Sequence, residues 1–136
     1  MIDNVMNDLA SYLEVQPFMT TEDGVYNIDI DQFSVTIRQH SSWIIWETPL
    51  LFRFDNSVRH QEDHILQCCM YFFLKTLFDG QGHTLTVNRE SQLVLQGRAE
   101  LVQISSGEFP VTLSDHINVC ERYSEILHNN GAAHLL

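Results

Sequence analysis

The stretch 57–78 constrains the fold more than any other part of the chain, because it is too long and too apolar to be one strand. It begins polar, becomes almost wholly apolar, and stops at the glycine-containing segment 79–82. We therefore predict a helix. On a helical wheel its apolar arc is more than twice the ~100° stripe with which a helix packs on one core. The arc contains Ile65, Leu66, Cys69, Met70, Tyr71, Phe72, Phe73, Leu74, Leu77 and Phe78.

A helix with this much apolar surface needs cover on two sides. One interpretation is a central helix that is buried within its own domain. The other, which we favour, is that one side packs on the domain's own sheet and the opposite side packs on a second copy of the chain. The sequence therefore predicts a homodimer formed through the central helix.

The composition disfavours several classes of partner. The 136 residues are enough for one domain, spanning 1–136, with a real hydrophobic core. The net charge is −11, from 18 acidic and 7 basic residues, and such a chain lacks the cationic clusters that bind nucleic acid or anionic lipid. The same charge suits a basic or amphipathic partner.

The sequence carries no sign of secretion or membrane insertion. Its first residues show no basic region, apolar core or cleavage site of a signal peptide, and no run approaches the ~20 apolar residues of a membrane span. Three cysteines, two of them adjacent, do not make a disulfide framework. We therefore expect the chain in a reducing cytoplasm.

Periodicity predicts the remaining elements. Segment 3–15 repeats apolar residues at spacings of three and four, which indicates an amphipathic helix that Pro17 ends. Alternation then predicts three strands beginning near Tyr26, Phe33 and Trp43. Pro49 would interrupt the third strand or make it an edge strand, and residues 50–54 could either continue the strand or cover a sheet edge.

After the central helix, alternation predicts strands at 85–87 and 93–101. The second carries Gly97 where a bend or a close approach is expected. A last helix follows Pro110, with Thr112 or Ser114 at its cap and its end at 130–131. The order α-β-β-β-α-β-β-α with short links between strands predicts an α+β fold, an antiparallel twisted sheet of about five strands with three helices.

The sequence gives little support for catalysis. The Gly-Gln-Gly at 80–82 is not followed by the Lys and Ser or Thr of a phosphate-binding loop, and no G-x-S-x-G motif is present. Histidine and cysteine recur at intervals of four on two helices, at His60, His64 and Cys68 and again at His116 and Cys120.

Two such pairs facing each other could hold zinc, and a cysteine beside a histidine could be a nucleophile. The tight spacing of common zinc sites is missing, however, and no third orienting group is indicated. We predict no metal, no cofactor and no enzymatic activity.

The element order, the length, the acidity and the over-apolar second helix together resemble the class I type III secretion chaperones. These form the CesT/SycE-like family of small cytoplasmic proteins of Gram-negative bacteria. The resemblance runs from the helix 3–15 to the helix 114–130. It includes the strand-turn-strand segment 25–37, the end of the third strand at 48–50 and the segment 84–101.

The resemblance implies a homodimer that binds the N-terminal region of one or more secreted effectors in extended form, without nucleotide hydrolysis. The effector is kept soluble and competent for export. The complex is presented to the secretion machinery, so that the secretion ATPase and sorting components are candidate partners.

An exposed sheet edge supports this mechanism, because an extended peptide can add to it as a further strand. Apolar grooves between the first helix and the sheet would take alternate side chains of that peptide. Ordinary core packing is the alternative for each candidate, and Trp43 and Trp46 are favoured because large aromatic residues recur at interfaces. The predicted effector-binding residues are Leu9, Leu13, Phe18, Ile28, Phe33, Trp43 and Trp46.

For the dimer contact we predict Cys69, Phe72 and Phe73 of the central helix together with Leu93 and Leu95 of the last strand. Two alternative functions stay open. The same fold could serve as a heterodimeric co-chaperone or a regulator, or the His and Cys residues could form a small metal-dependent or thiol-dependent enzyme.

Overall fold

The computed structural model describes residues 2–53, 59–78, 83–104 and 107–129. Within these ranges the predicted α+β fold and its element order are confirmed, and no helix there is long and apolar enough to cross a membrane. The elements are α1 (Ile2–Tyr12), β1 (Tyr26–Ile30), β2 (Phe33–His40), β3 (Trp43–Arg53), α2 (Arg59–Phe78), β4 (Thr84–Val87), β5 (Gln92–Glu100), a 3₁₀ turn (Leu101–Gln103) and α3 (Phe109–Asn129).

The strands form one antiparallel sheet in the order β1-β2-β3-β5-β4. The sequence neighbours β1 and β2 pair directly, because only Asp31 and Gln32 separate them, and Asp31 takes the left-handed conformation of a tight turn. The connection through α2 places β4 outside β5. Strands β1 and β4 are therefore the two edges of the sheet, and β3 is its centre.

The structure corrects the prediction that Pro49 ends the third strand or places it at an edge. β3 continues to Arg53 between β2 and β5. Its pairing with β2 stops at Glu47, and its register with β5 shifts after Pro49. A proline, which has no N–H to donate, is tolerated where a neighbouring ladder has already ended. Trp43 and Trp46 consequently lie on the central strand.

One hydrophobic core joins the inner face of the sheet to all three helices. Along β3 the inward side chains alternate strictly with half-buried ones, and Trp46 is among those that face the core. Gly97 lies directly under its indole, because a Cβ at this position would be 2.1 Å from Trp46 Nε1. The predicted close approach at Gly97 is confirmed, since only glycine leaves room for the ring.

The start of one helix and the end of one strand differ from prediction. α3 begins at Phe109, before the expected caps Thr112 and Ser114, because Pro110 fits the first turn of a helix, where its missing N–H has no partner to lose. The 3₁₀ turn at Leu101–Gln103 replaces the predicted end of the last strand. The predicted ends at 79–82 and 130–131, and the start at 57–58, lie outside the described residues.

The end of α1 is fixed by a glutamate in an unfavourable backbone conformation. Glu14 has φ 57°, its N–H bonds to the Ser11 carbonyl at 3.2 Å, and the Val15 N–H bonds to the Ala10 carbonyl at 3.0 Å. This is the Schellman arrangement, in which glycine is the usual residue at the position of Glu14. The segment after α1 is thereby turned sharply away from the helix axis.

Glu14→Gly is expected to raise the free energy of unfolding. A residue with a side chain loses about 1–2 kcal/mol in the left-handed conformation, and glycine removes this cost. The larger conformational entropy of glycine in the unfolded chain offsets part of the gain. The net increase should be about 0.5–1 kcal/mol, measurable by urea denaturation. Ser11→Gly, inside the helix, should lower the same quantity by about 0.5 kcal/mol. A loss of stability in Glu14→Gly would show that the glutamate side chain itself stabilises the turn.

Candidate binding surfaces

The seven predicted effector-binding residues fall into two groups. Leu9, Ile28, Phe33 and Trp46 are buried in the core of the protomer. None of the four is exposed beside the first helix, where the peptide groove was predicted, and Trp46 instead lines a cavity between α2 and α3. Leu13 is exposed, and Phe18 and Trp43 are half-buried. Of the seven predicted residues, these three have side chains that are at least partly exposed at the surface.

Leu13 belongs to a larger exposed apolar surface that sequence periodicity did not single out. Four large apolar side chains at the end of α1 and in the segment that follows it are exposed, at 67%, 46%, 50% and 87% of their surface. We call this surface the amino-terminal patch; its residues are Tyr12, Leu13, Val15 and Met19. The signal in the sequence was the continuation of apolar residues beyond the helix and around Pro17, where no regular element could bury them.

The amino-terminal patch lies in the segment that leads directly into the edge strand β1. Thr20 forms an isolated antiparallel bridge with Tyr26, so this segment folds back beside the beginning of β1. From Asn27 to Ile30 the outer side of β1 has no strand neighbour in the described sheet. An edge of this kind can accept an extended peptide as an additional strand.

Trp43 lies on the face of the sheet that points away from the core. The guanidinium of Arg98 stands over its ring, 5.0 Å from the centroid, and the neighbouring Arg38 forms an ion pair with Glu47 on the same face. Charged side chains therefore surround the tryptophan on this face, which also carries the half-buried Ile45. Trp43 remains a candidate for partner contact, although it lies on the central strand and not at an edge of the sheet.

The predicted dimer residues lie deeper in the protomer than expected. Cys69, Leu93 and Leu95 are buried in its own core. Phe72 and Phe73 are half-buried: the Phe72 ring packs edge-on against Tyr123 with centroids 4.8 Å apart, and the Phe73 ring packs edge-on against His83 at 5.3 Å. These five side chains therefore pack, wholly or in part, within their own protomer.

A side of α2 next to its buried side remains uncovered and apolar. Four of its side chains, spaced by three and four residues, are exposed at 38%, 51%, 49% and 47%. We call them the α2 stripe; they are Leu66, Met70, Leu74 and Leu77. The excess of apolar surface that the sequence predicted for this helix is thus present in the folded chain.

Two polar contacts join α3 to β3 and to the residue before β4. Thr48 Oγ1 lies 2.8 Å from His116 Nε2, and His83 Nε2 lies 2.6 Å from the Tyr123 hydroxyl. Burial, and secondarily the charge of His83, lowers the pKa of His116 from 6.5 to about 4. His116 is therefore neutral at physiological pH and acts as a hydrogen-bonding group of the core.

The thiols near these contacts are not activated. Burial raises the pKa of Cys120 to about 12 and that of Cys69 to about 11, so both stay protonated at neutral pH, and a protonated thiol is a poor nucleophile and a poor metal ligand. His64 and Cys68 approach each other to 3.8 Å on exposed α2. Within the described ranges no three His, Cys, Asp or Glu side chains converge as a metal site requires. The side chain of His60 lies outside the described residues.

Known proteins place this architecture in context. No model of a protein family matches the sequence. The sequence is similar to the chaperone protein YscB of Yersinia enterocolitica, with 28% identity over 108 residues, which cover 77% of this chain and 76% of YscB.

The fold is similar to that of a chain in the solved HopA1–SchA chaperone–effector complex. The TM-score is 0.72 at 16% identity, and the match covers 91% of this chain and 93% of the other. In both sequence and fold, this chain resembles chaperones of the class I type III secretion kind. The crystal structure of the Yersinia pestis type III secretion chaperone SycH with a stable fragment of YscM2 contains another similar chain. There the TM-score is 0.64 at 11% identity, over 91% of this chain and 100% of the other.

The two kinds of similarity support different statements about the chaperone family. The two solved structures, both below 20% identity, establish the common fold, and the similarity to YscB adds a relation in sequence over most of both chains. The family resemblance predicted from element order and the over-apolar α2 is confirmed.

Proposed function

We propose that the protein is a non-enzymatic secretion chaperone that binds the N-terminal region of one or more type III secreted effectors in extended form. It keeps the effector soluble and competent for export in the bacterial cytoplasm, and it acts as a homodimer of single-domain protomers spanning residues 1–136. The observation that carries the proposal is an exposed apolar patch that leads into a free edge strand, on the fold of proteins solved as a chaperone–effector complex.

The amino-terminal patch and β1 supply complementary parts of a peptide site. The outer edge of β1 offers backbone N–H and C=O groups to an extended segment. The exposed side chains of Leu13 and Met19 offer apolar contact for its alternate residues. Effector segments that expose apolar side chains aggregate when free, and burial of these side chains on the patch removes that surface from water.

The charge of the chaperone favours one kind of segment. At a net charge of −11, the protein attracts basic or amphipathic segments over long range and repels acidic ones. The same charge keeps the complex soluble while apolar surface is exposed.

The second copy would bind through the α2 stripe. A homodimer presents two amino-terminal patches, so one effector segment long enough to reach both gains affinity from the second contact. The secretion ATPase and sorting components are the proposed recipients of the complex.

Leu13→Glu combined with Met19→Glu is expected to weaken effector binding at least about tenfold, because each substitution places a charge where an apolar side chain would be buried. The effector is identified by co-purification from the native bacterium, and its N-terminal segment is titrated by fluorescence anisotropy. Val102→Glu with Val111→Glu is the matched control, since both valines are exposed on other elements. Equal affinity of the patch variant and the control would contradict the proposed site.

A further inference from the structure

A groove between α2 and α3 is not used by the proposed effector site. It consists of two adjoining cavities of about 510 Å³ and about 440 Å³. Three side chains line both cavities and form the wall between them: Phe72, Lys75 and Arg122. The groove is therefore one elongated depression that narrows at these three residues.

The floor that the sheet gives to the larger cavity is apolar and is formed by Trp46 and Leu95. Val119 of α3 adds to it, and the rest of the lining includes polar side chains such as Thr76 and His116. The indole of Trp46 lies directly on the backbone of Gly97, which has no side chain to hold the ring away. Phe109 holds it from the side, edge-on at a centroid distance of 5.7 Å. Such a floor fits a large apolar or aromatic side chain, because no rotamer has to be ordered when the side chain enters.

The wall between the two cavities carries positive charge, although the chain as a whole is strongly acidic. Two of the 7 basic residues, Lys75 and Arg122, stand there, and neither forms an ion pair within the described residues. The Arg122 guanidinium lies over the Phe72 ring, 5.6 Å from its centroid, which holds it in place. Asp115 also lines the larger cavity, so the local balance is still positive. An oriented guanidinium is suited to bidentate binding of a carboxylate.

We propose that this groove binds an acidic segment of a partner protein, with a large apolar side chain in the cavity over Trp46 and neighbouring carboxylates on Lys75 and Arg122. The charge complementarity selects such a segment, because carboxylates are repelled by most of the remaining surface. The proposal goes beyond effector binding at the amino-terminal patch, where basic or amphipathic segments are favoured.

The groove is separate from the α2 stripe. Lys75 and Leu66 are nine residues apart, which is about two and a half turns of helix, so they lie on opposite sides of α2. A second copy that packs on the stripe therefore leaves Lys75 accessible to the acidic segment.

The test uses a fluorescein-labelled peptide in which one tryptophan is flanked by two glutamates on each side, and a matched peptide with glutamine in place of glutamate. The wild-type protein should bind the acidic peptide about tenfold more tightly in fluorescence anisotropy. Lys75→Gln with Arg122→Gln should lose this difference. Lys75→Gln alone, which leaves the Arg122 contact with Phe72 intact, should lose part of it.

Arg89→Gln with Arg98→Gln is the control, because it removes the same charge from exposed positions outside the groove. An equal loss in this control, or equal binding of the two peptides to the wild type, would overturn the proposal. A change from dimer to monomer in the groove variant, seen by light scattering, would assign the groove to the second copy instead. Effector binding is measured in parallel, so a failure of that function is distinguishable from a failure of the groove.

Discussion

Met70→Glu combined with Leu74→Glu is expected to convert the protein from a homodimer to a monomer. Both side chains are about half exposed in the protomer, so the substitutions leave its core intact. In a dimer that packs through the α2 stripe they would be desolvated. Burial of a large apolar side chain contributes about 1.5–3 kcal/mol, and an unpaired charge at the same place costs several kcal/mol more.

The measurement is light scattering coupled to size exclusion at micromolar concentration. The wild type should have twice the protomer mass of 15.8 kDa, and the variant should have 15.8 kDa with an unchanged circular dichroism spectrum. Val102→Glu with Val111→Glu, the control for exposed apolar positions elsewhere, should stay dimeric. A wild-type mass of one protomer would remove the homodimer from the proposed function. Phe72→Glu is a poorer test, because Phe72 also packs on Tyr123 within the protomer.

Acidification is expected to destabilise the fold through His116. The pKa of this histidine is lowered from 6.5 to about 4 in the folded protein. Between pH 6.5 and pH 4, His116 is therefore protonated in the unfolded chain and neutral in the folded chain. The stabilising contribution is complete above pH 6.5 and is lost as the pH falls towards 4. The loss in free energy of unfolding is about 3 kcal/mol, because each unit of difference between the unfolded and folded pKa contributes about 1.4 kcal/mol.

The contribution of His116 is isolated by comparing how the free energy of unfolding depends on pH in the wild type and in His116→Gln. His116→Gln keeps a polar group near Thr48 but removes the proton site, so its free energy of unfolding should fall about 3 kcal/mol less than that of the wild type over this range. Urea denaturation at one fixed protein concentration provides the values. His128→Gln, on the exposed side of α3, is the control and should follow the wild type. Parallel curves for His116→Gln and the wild type would show that His116 is not the group responsible.

Local patterns predicted the elements well where one physical cause dominated. The alternation of Phe33, Val35 and Ile37 fixed which side of β2 faces the core, because a strand exposes alternate residues to opposite faces. Gly97 was recognised as a close approach because a glycine weakens the strand that contains it and often marks a place where a neighbouring group needs the space. The prediction at Pro49 was wrong because the sequence does not show that the pairing of β3 with β2 stops before the proline.

The binding residues were harder to predict than the elements. Leu9 and Ile28 have the same apolar character as Leu13, yet they are buried and Leu13 is exposed. The difference arises because Leu9 and Ile28 face the core of the protomer, whereas Leu13 lies beyond the end of α1, next to the left-handed turn at Glu14. No signal in the sequence marks that turn, because glutamate is not the residue usually found there.

The sequence by itself determined the order of helices and strands, the acidic surface and the excess of apolar residues in α2, because these depend on local periodicity and on sums over the chain. The tertiary structure alone decided which apolar side chains remain at the surface. It buried Cys69 and Leu95 while leaving Met70 and Leu74 exposed, and it brought Lys75 and Arg122 together in one groove. Such contacts join residues far apart in the chain, and they follow from the packing of whole elements and not from the neighbours of any one residue.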